Sequence, residues 1–350
     1  GRKAISDHGG LALAQKADSE MNESMAASSA TAGVADFVLP ADQIAEEIQR
    51  YVRHLQQIRE SGEEKQRIAG IEEAIPVITE HLFDVTSHNF QHYKTSTLVR
   101  RIQRRMQILR FIHVEEYVDF LQHRRDEVLA LFRELLIGVT HFFRDPDAFE
   151  VLKTQVLAKL FGLRQAGDCV RIWLAGCANG AEAFTMAILC RDIMDDMDDP
   201  CKVQIFATDI DDRALQVARK GAYPSAIAQT VSAERLRKHF RKRGNNYIVK
   251  QDIRKLVLFS SHNLISDPPF SAQDLIVCRN LLIYLGHHLQ NKLIPLFHYA
   301  LRPGGYLFLG QSESSSAHGD LFRPVAASHS IYQRKGTAIR KAPSISLRHS

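Results

Sequence analysis

An α/β fold with a parallel sheet, preceded by an all-helical segment, is the class this sequence predicts. Three observations carry it. From about residue 170 to 309, apolar runs of strand length alternate with helical stretches, as in a parallel sheet covered on both faces. Residues 71–140 read as helix and hold no proline after Pro76. Between the two lies Asp145-Pro146-Asp147, a helix start with an N-cap acid, a proline at the first position and an acid in the first turn.

Taken in order, Ala12-Leu13-Ala14 reads as a short strand and Met21–Gly33 is rich in small residues. Asp42 is the expected N-cap of an amphipathic helix over 42–60, with Ile44, Ile48, Val52, Leu55 and Ile58 at helical spacing. Ser61–Gly70 reads as linker or extended helix. In the helix Lys94–Arg110, Leu98, Ile102 and Leu109 share an apolar stripe, and no acid interrupts the run. Arg100, Arg101, Arg104 and Arg105 fall on the remaining surface, where like charges repel. The expectation is a docking face for an acidic partner.

Phe149, Leu152, Val156 and Leu160 supply the stripe after Pro146. Strands follow at Val170–Ala175, Val203–Thr208, Leu256–Phe259, Asp274–Cys278 and Gly305–Leu309, with helices at 183–195, 212–220, 232–242 and about 287–301. Asn245–Lys250 belongs to a small hairpin around Gly244-Asn245.

The 350 residues are 45% hydrophobic and 24% charged, an ordinary globular composition. No apolar stretch approaches the ~20 residues of a membrane helix. The first residues carry no signal-peptide core, so a cytoplasmic location is expected. Starting at Gly1 rather than Met suggests a piece of a longer protein. The five cysteines (Cys169, Cys177, Cys190, Cys201 and Cys278) form no CxxC pair, and no metal site is expected. A net charge of +5 is a mild excess, short of a nucleic-acid-binding composition.

The chemistry gathers at strand ends. Gly176-Cys-Ala-Asn-Gly180 joins a strand to a helix, where glycine permits close approach of a ligand and the helix N-terminus favours a polar or anionic group. The spacing is GxxxG, so the dinucleotide fingerprint fails. Asp209 follows the second strand, where an acid accepts ribose hydroxyls; with the glycine turn it favours a nucleoside cofactor. Asn263 and Asn280 follow later strands and converge on the same rim. Asp267-Pro-Pro-Phe270 fits the catalytic tetrapeptide of amino-methyltransferases acting on nucleic-acid bases. It precedes its strand instead of following it, and reads as a rigid turn.

Six segments then resemble the chemotaxis receptor methyltransferase family, CheR. They are Ile137–Pro146, Ala175–Phe184, Ala207–Asp211, Ser260–Leu264, Cys278–Tyr284, and Leu301–Gly305 with Gly310–Glu313. The likeness runs from about 76 to 334. It implies a Rossmann-like class I S-adenosylmethionine-dependent methyltransferase domain, with an N-terminal all-helical subdomain and a small inserted β-hairpin subdomain. It also implies methylation of receptor glutamates to γ-glutamyl methyl esters, in chemotaxis adaptation. By motif position the cofactor contacts are Thr140, Arg144, Glu182, Asp209, Asn263, Leu264, Asn280 and Leu281, beside the glycine-turn residue Gly176. Gly138 stands where the family often has Asn, and Ala181 replaces the first Glu of its usual pair. Residues 1–15 and 33–40 resemble the end of the receptor methylesterase family, CheB, whose catalytic Ser, His and Asp precede the matching segment. The expected organisation is a CheB remnant with linker helix over 1–60, a linker over 61–75, a helical CheR subdomain over 76–145, the methyltransferase domain over 146–335 with its β-subdomain near 240–256, and a basic tail over 336–350. No esterase activity is expected of these residues.

A glutamate carboxylate is ionised at neutral pH (reference pKa ~4.3), so methyl transfer to it needs positioning and exclusion of water, not a base. Arg144 offers a planar cation to hold the acceptor or order the cofactor, and Tyr284 a phenol to steer the acceptor. Phe142, Phe143 and Tyr284 are candidates to face the sulfonium, with one of the two phenylalanines expected in the core. In the family the basic helix meets helical, Glu-rich receptor segments. The link from Phe240 to Leu264 is shorter than in members that bind a receptor's C-terminal pentapeptide, so no such tether is expected. The alternatives are a non-catalytic S-adenosylmethionine- or S-adenosylhomocysteine-binding regulatory module, a nucleic-acid methyltransferase, and a nicotinamide-dependent oxidoreductase.

Overall fold

The computed structural model describes residues 10–16, 36–62, 64–136, 138 and 140–336. The stretch Met21–Gly33, Gly1–Gly9 of the CheB-like segment and most of the basic tail lie outside these residues. The chain forms two compact units, Gly1–Ile137 and Gly138–Ser350.

In the first unit, β1 (Leu13–Gln15) pairs in parallel with β2 (Phe37–Leu39). Five helices follow: α1 (Ala41–Ser61), α2 (Glu64–Thr86), α3 (Thr95–Leu109), α4 (Val114–His123) and α5 (Arg125–Leu135). The polar stretch after Ser61 is therefore mostly helix. Pro40, not Asp42, occupies the cap position of α1; Asp42 lies in its first turn. Ile71, Leu82, Phe90, Leu98, Ile102, Tyr117 and Leu131 close the core of this unit.

The expected basic docking face does not form. Arg101 and Arg104 are buried, at 4% and 3% exposure. Glu134 accepts from Arg101 at 2.9 Å and from Arg104 at 2.6 Å, and Asp36 accepts from Arg104 at 2.8 Å. Arg105 grips Glu127 with both Nε (2.9 Å) and Nη2 (2.5 Å). Only Arg100 of the four is exposed. The physical reason is visible in α5. Glu127 and Glu134 are seven residues apart, on one face two turns long, and they neutralise the facing arginines. The Asp36–Arg104 pair also ties the β1–β2 ladder to the helices.

In the second unit, α6 (Pro146–Leu152) runs through one π-helical turn, Lys153–Leu157, into Ala158–Gly162. The sheet strands are β3 (Cys169–Ala175), β4 (Lys202–Asp209), β8 (Val257–Ser261), β9 (Gln273–Cys278), β10 (Leu301–Leu309), β11 (Phe322–Ala326) and β12 (Ile331–Arg334). Their order is β11-β12-β10-β9-β3-β4-β8. Every pairing among β10, β9, β3, β4 and β8 is parallel, and β12 runs antiparallel between β10 and β11. All residues of β9 are buried, as a strand covered on both faces must be. The connecting helices are α7 (Ala181–Asp195), α8 (Asp212–Lys220), α9 (Ala233–His239) and α10 (His287–Ala300).

The inserted sheet has three strands rather than a hairpin: β5 (Ala222–Pro224), β7 (Asn246–Val249) and β6 (Phe240–Arg243), in that order. The helix expected over 232–242 stops at His239. Arg241, Lys242 and Arg243 favour helix locally, yet pairing of Phe240 with Val249 across the Gly244-Asn245 turn overrides that preference. Phe142 packs edge-on against Tyr223 and Phe240, which anchors this small sheet.

Candidate functional site

After β3 the chain builds outward to β4 and β8, then returns to place β9 on the other side of β3. That reversal opens a crevice beyond the carboxyl ends of β3 and β9. The loops after these strands carry the residues the sequence singled out.

The loop after β3 requires its glycines. Gly180 has φ +83°, and a Cβ there would lie 2.7 Å from the Ala218 Cβ. Gly176 has φ +79°, and a Cβ would meet the Leu281 side chain at 3.1 Å. Gly176 and Leu281 therefore adjoin across the crevice, from β3 and β9. Asp209, ending β4, accepts the Ala178 N–H at 2.7 Å and the Asp211 N–H at 3.0 Å. Burial raises its pKa, against the pull of those donors. The Asp209 carbonyl accepts from His262 N–H at 3.0 Å, which brings the Asn263-Leu264 loop alongside. Asp267 accepts the Asn263 N–H at 2.8 Å, so the Asp267–Phe270 turn braces that loop.

Asn280 follows β9 with φ +58°, in the left-handed region that Asn tolerates. The residue before it, Arg279, has no exposed side-chain surface. It donates to Glu182 at 2.8 Å and to Asp145 at 2.7 Å. Burial raises the Glu182 pKa, and Arg279 and then Arg144 oppose that rise. Asp145 thus makes no capping bond to α6, although Pro146 and Asp147 take their expected places. Gly138 lies beside Ala178 and the Phe143 N–H bonds the Thr185 hydroxyl at 3.1 Å, so the segment before α6 lines the same turn. Phe142 and Phe143 are both core residues, and Arg235 stacks over the Phe143 ring. Arg144 and Tyr284 are half-buried.

Two polar atoms stand out. Thr140 Oγ1 and Asn280 Oδ1 are buried and make no hydrogen bond among the described residues. An orphaned buried acceptor costs about 1–3 kcal/mol unless a ligand satisfies it. The sequence reading missed Arg279, Glu313 and Asp267. Arg279 lies inside the Cys278–Tyr284 motif with no role of its own legible there; Glu313 sits thirty-odd residues from the Asn280 and Ile283 backbone it holds, and a distance in sequence carries no such signal.

The strand order, the glycine turn and the acid ending β4 define a Rossmann-like nucleoside-cofactor domain of the class I methyltransferase type. Residues 138–331 match the CheR methyltransferase SAM binding domain, residues 73–136 the CheR methyltransferase all-alpha domain, and residues 1–48 the CheB methylesterase family. The chain belongs to the CheR methyltransferase family. It is 36% identical over 356 residues to a protein of Rhodobacter capsulatus described as an uncharacterized 104.1 kDa protein in hypE 3'region, covering 96% of this chain and 37% of that protein. It is 33% identical over 223 residues to a chemotaxis protein methyltransferase of Listeria innocua serovar 6a, covering 62% of this chain and 83% of the relative. A chemotaxis protein methyltransferase of Borreliella burgdorferi is 30% identical over 240 residues, covering 67% and 85%. The family cofactor is S-adenosylmethionine, and the donor set suits it. Asp209 is a carboxylate at the end of β4, Glu182 a buried carboxylate at the start of α7, and Thr140 Oγ1 and Asn280 Oδ1 are buried polar atoms beside the same loops. Among the described residues no cluster of metal-ligating side chains occurs, and no helix is long and apolar enough to cross a membrane.

Proposed function

We propose that this chain methylates glutamate side chains of chemoreceptors, giving γ-glutamyl methyl esters. The cofactor part of the reading is supported by the pair of orphaned atoms, Thr140 Oγ1 and Asn280 Oδ1, on loops that meet the Gly176–Gly180 turn, and the acceptor by the family to which residues 138–331 belong. Bound S-adenosylmethionine supplies an electrophilic methyl group. Asp209, Asn263 and Leu264 hold the nucleoside end; Glu182, Thr140, Asn280 and Leu281 hold the remainder beside Gly176. Arg144 orders the site or holds the acceptor carboxylate, and Tyr284 steers it. No side chain has to remove a proton, because the acceptor is already an anion. The partner is a helical, Glu-rich receptor segment, met in the cytoplasm, without a pentapeptide tether.

The test begins with calorimetric titration of the chain with S-adenosylhomocysteine and, separately, with NAD. Micromolar binding of the first alone is expected. Incubation with labelled S-adenosylmethionine and Glu-rich helical receptor fragments then yields methyl esters that release labelled methanol on alkaline treatment. Binding without transfer to any such fragment would favour a regulatory module, and transfer to DNA or RNA would refute the reading.

A further inference from the structure

Arg279 is a fully enclosed cation whose acceptors all belong to elements that carry the site. Its Nη1 donates to Glu182 at 2.8 Å and to the Arg144 carbonyl at 3.3 Å, and its Nη2 donates to Asp145 at 2.7 Å. Phe149 and Phe308 lie against its guanidinium carbon, with ring centroids at 4.9 Å and 4.7 Å. A charge buried this way is tolerated only when paired. Asp145 forgoes the capping bond its position offers and turns to the guanidinium, with its backbone in the left-handed region.

We propose that Arg279 is the positioning residue of the cofactor site, acting through Glu182 and Asp145. This rests on the cofactor reading above. Its fork keeps the Glu182 carboxylate an anion in a buried place, and locks the segment bearing Thr140 and Arg144 against the start of α7. Planarity is essential, since one guanidinium spans two carboxylates on separate elements and a point charge does not. The charged groups that act on Glu182 are Arg279, Arg144 and the like-charged Glu313. The neighbouring Cys177 and Cys278 thiols are pushed up by burial and stay neutral across the working range.

The test is S-adenosylhomocysteine affinity by calorimetry at a series of pH values between about pH 6 and 8.5, since burial raises the Glu182 pKa against the pull of Arg279. The variants are Arg279→Met, Arg279→Lys, Glu182→Gln and the double Arg279→Met/Glu182→Gln. The unaltered chain is expected to bind with nearly constant affinity. Arg279→Met frees Glu182 to take up a proton, so its affinity falls about tenfold further at the acid end than at the alkaline end. Relative to Glu182→Gln, the double variant is expected to lose less than Arg279→Met loses relative to the unaltered chain, because the arm through Glu182 is already gone and only the arm through Asp145 remains. A purely structural role gives a loss that is flat in pH and multiplies with Glu182→Gln; that result overturns the proposal. Should Arg279→Met not fold, Arg279→Lys decides. It keeps the charge, so its loss is several-fold and flat in pH, and combined with Glu182→Gln that loss is expected to shrink rather than multiply; affinity equal to the unaltered chain, or losses that multiply in Arg279→Lys/Glu182→Gln, refutes the proposal. Absence of binding by the unaltered chain refutes the cofactor reading itself, and is read from that titration alone.

Discussion

Glu313 holds Asn280 by its backbone: Oε2 accepts the Asn280 N–H at 2.9 Å and the Gly310 N–H at 2.7 Å, while Oε1 accepts the Ile283 N–H at 3.2 Å. One buried carboxylate thereby fixes the loops after β9 and β10 and the left-handed turn that aims Asn280. Glu313→Ala leaves three amide donors without their acceptor. We expect a loss of about 3 kcal/mol or more of stability and at least tenfold weaker S-adenosylhomocysteine binding. Urea unfolding and calorimetry check the two effects separately.

Asp209 carries the ribose assignment. Asp209→Ala is expected to abolish measurable S-adenosylhomocysteine binding, and Asp209→Asn to weaken it at least tenfold, since an amide nitrogen then faces an N–H donor. Unchanged affinity in the alanine variant would remove this residue from the site.

Gly180→Ala tests the glycine turn. The new Cβ would meet Ala218 at 2.7 Å in a backbone of φ +83°. The expected cost is about 1–3 kcal/mol, read as a lower urea midpoint, with weaker cofactor binding because the start of α7 shifts.

Asp192 anchors α9 to α7 through His239 and Lys238, each at 3.0 Å. Burial alone would raise its pKa, but those two bonds outweigh it and hold it at about 2 against a reference of 3.8. The folded value lies below the unfolded one, so the contribution is present above pH ~4 and is lost as pH falls towards 2. Asp192→Asn should cost on the order of 2 kcal/mol at neutral pH, and the difference from the unaltered chain should shrink through that acid window. A thermal melt series against pH measures it.

Glu134→Gln separates the two meanings of the basic helix. Its carboxylate serves the buried Arg101 and Arg104 together. Breaking such a pair costs about 3 kcal/mol or more, so the variant should unfold at clearly lower urea. Stability within about 0.5 kcal/mol of the unaltered chain would return those arginines to the surface role first expected.

Much of this protein was legible in its residues alone. The alternation of apolar runs and helical stretches announced the parallel sheet, and the strand-end Gly176, Asp209, Asn263 and Asn280 announced its crevice, because periodicity and turn chemistry are local properties. The order β10-β9-β3-β4-β8, which turns those four into neighbours, is decided by strand pairing across the chain. So is the fate of charge. Arg101 and Arg104 read as a docking face, but Glu134 and Asp36 close over them, and Arg279 has no role legible in its own segment because Glu182 and Asp145 meet it from elsewhere. A side chain's period says which face it shares. Only the folded arrangement says what lies opposite, and a buried charge is defined by its partner.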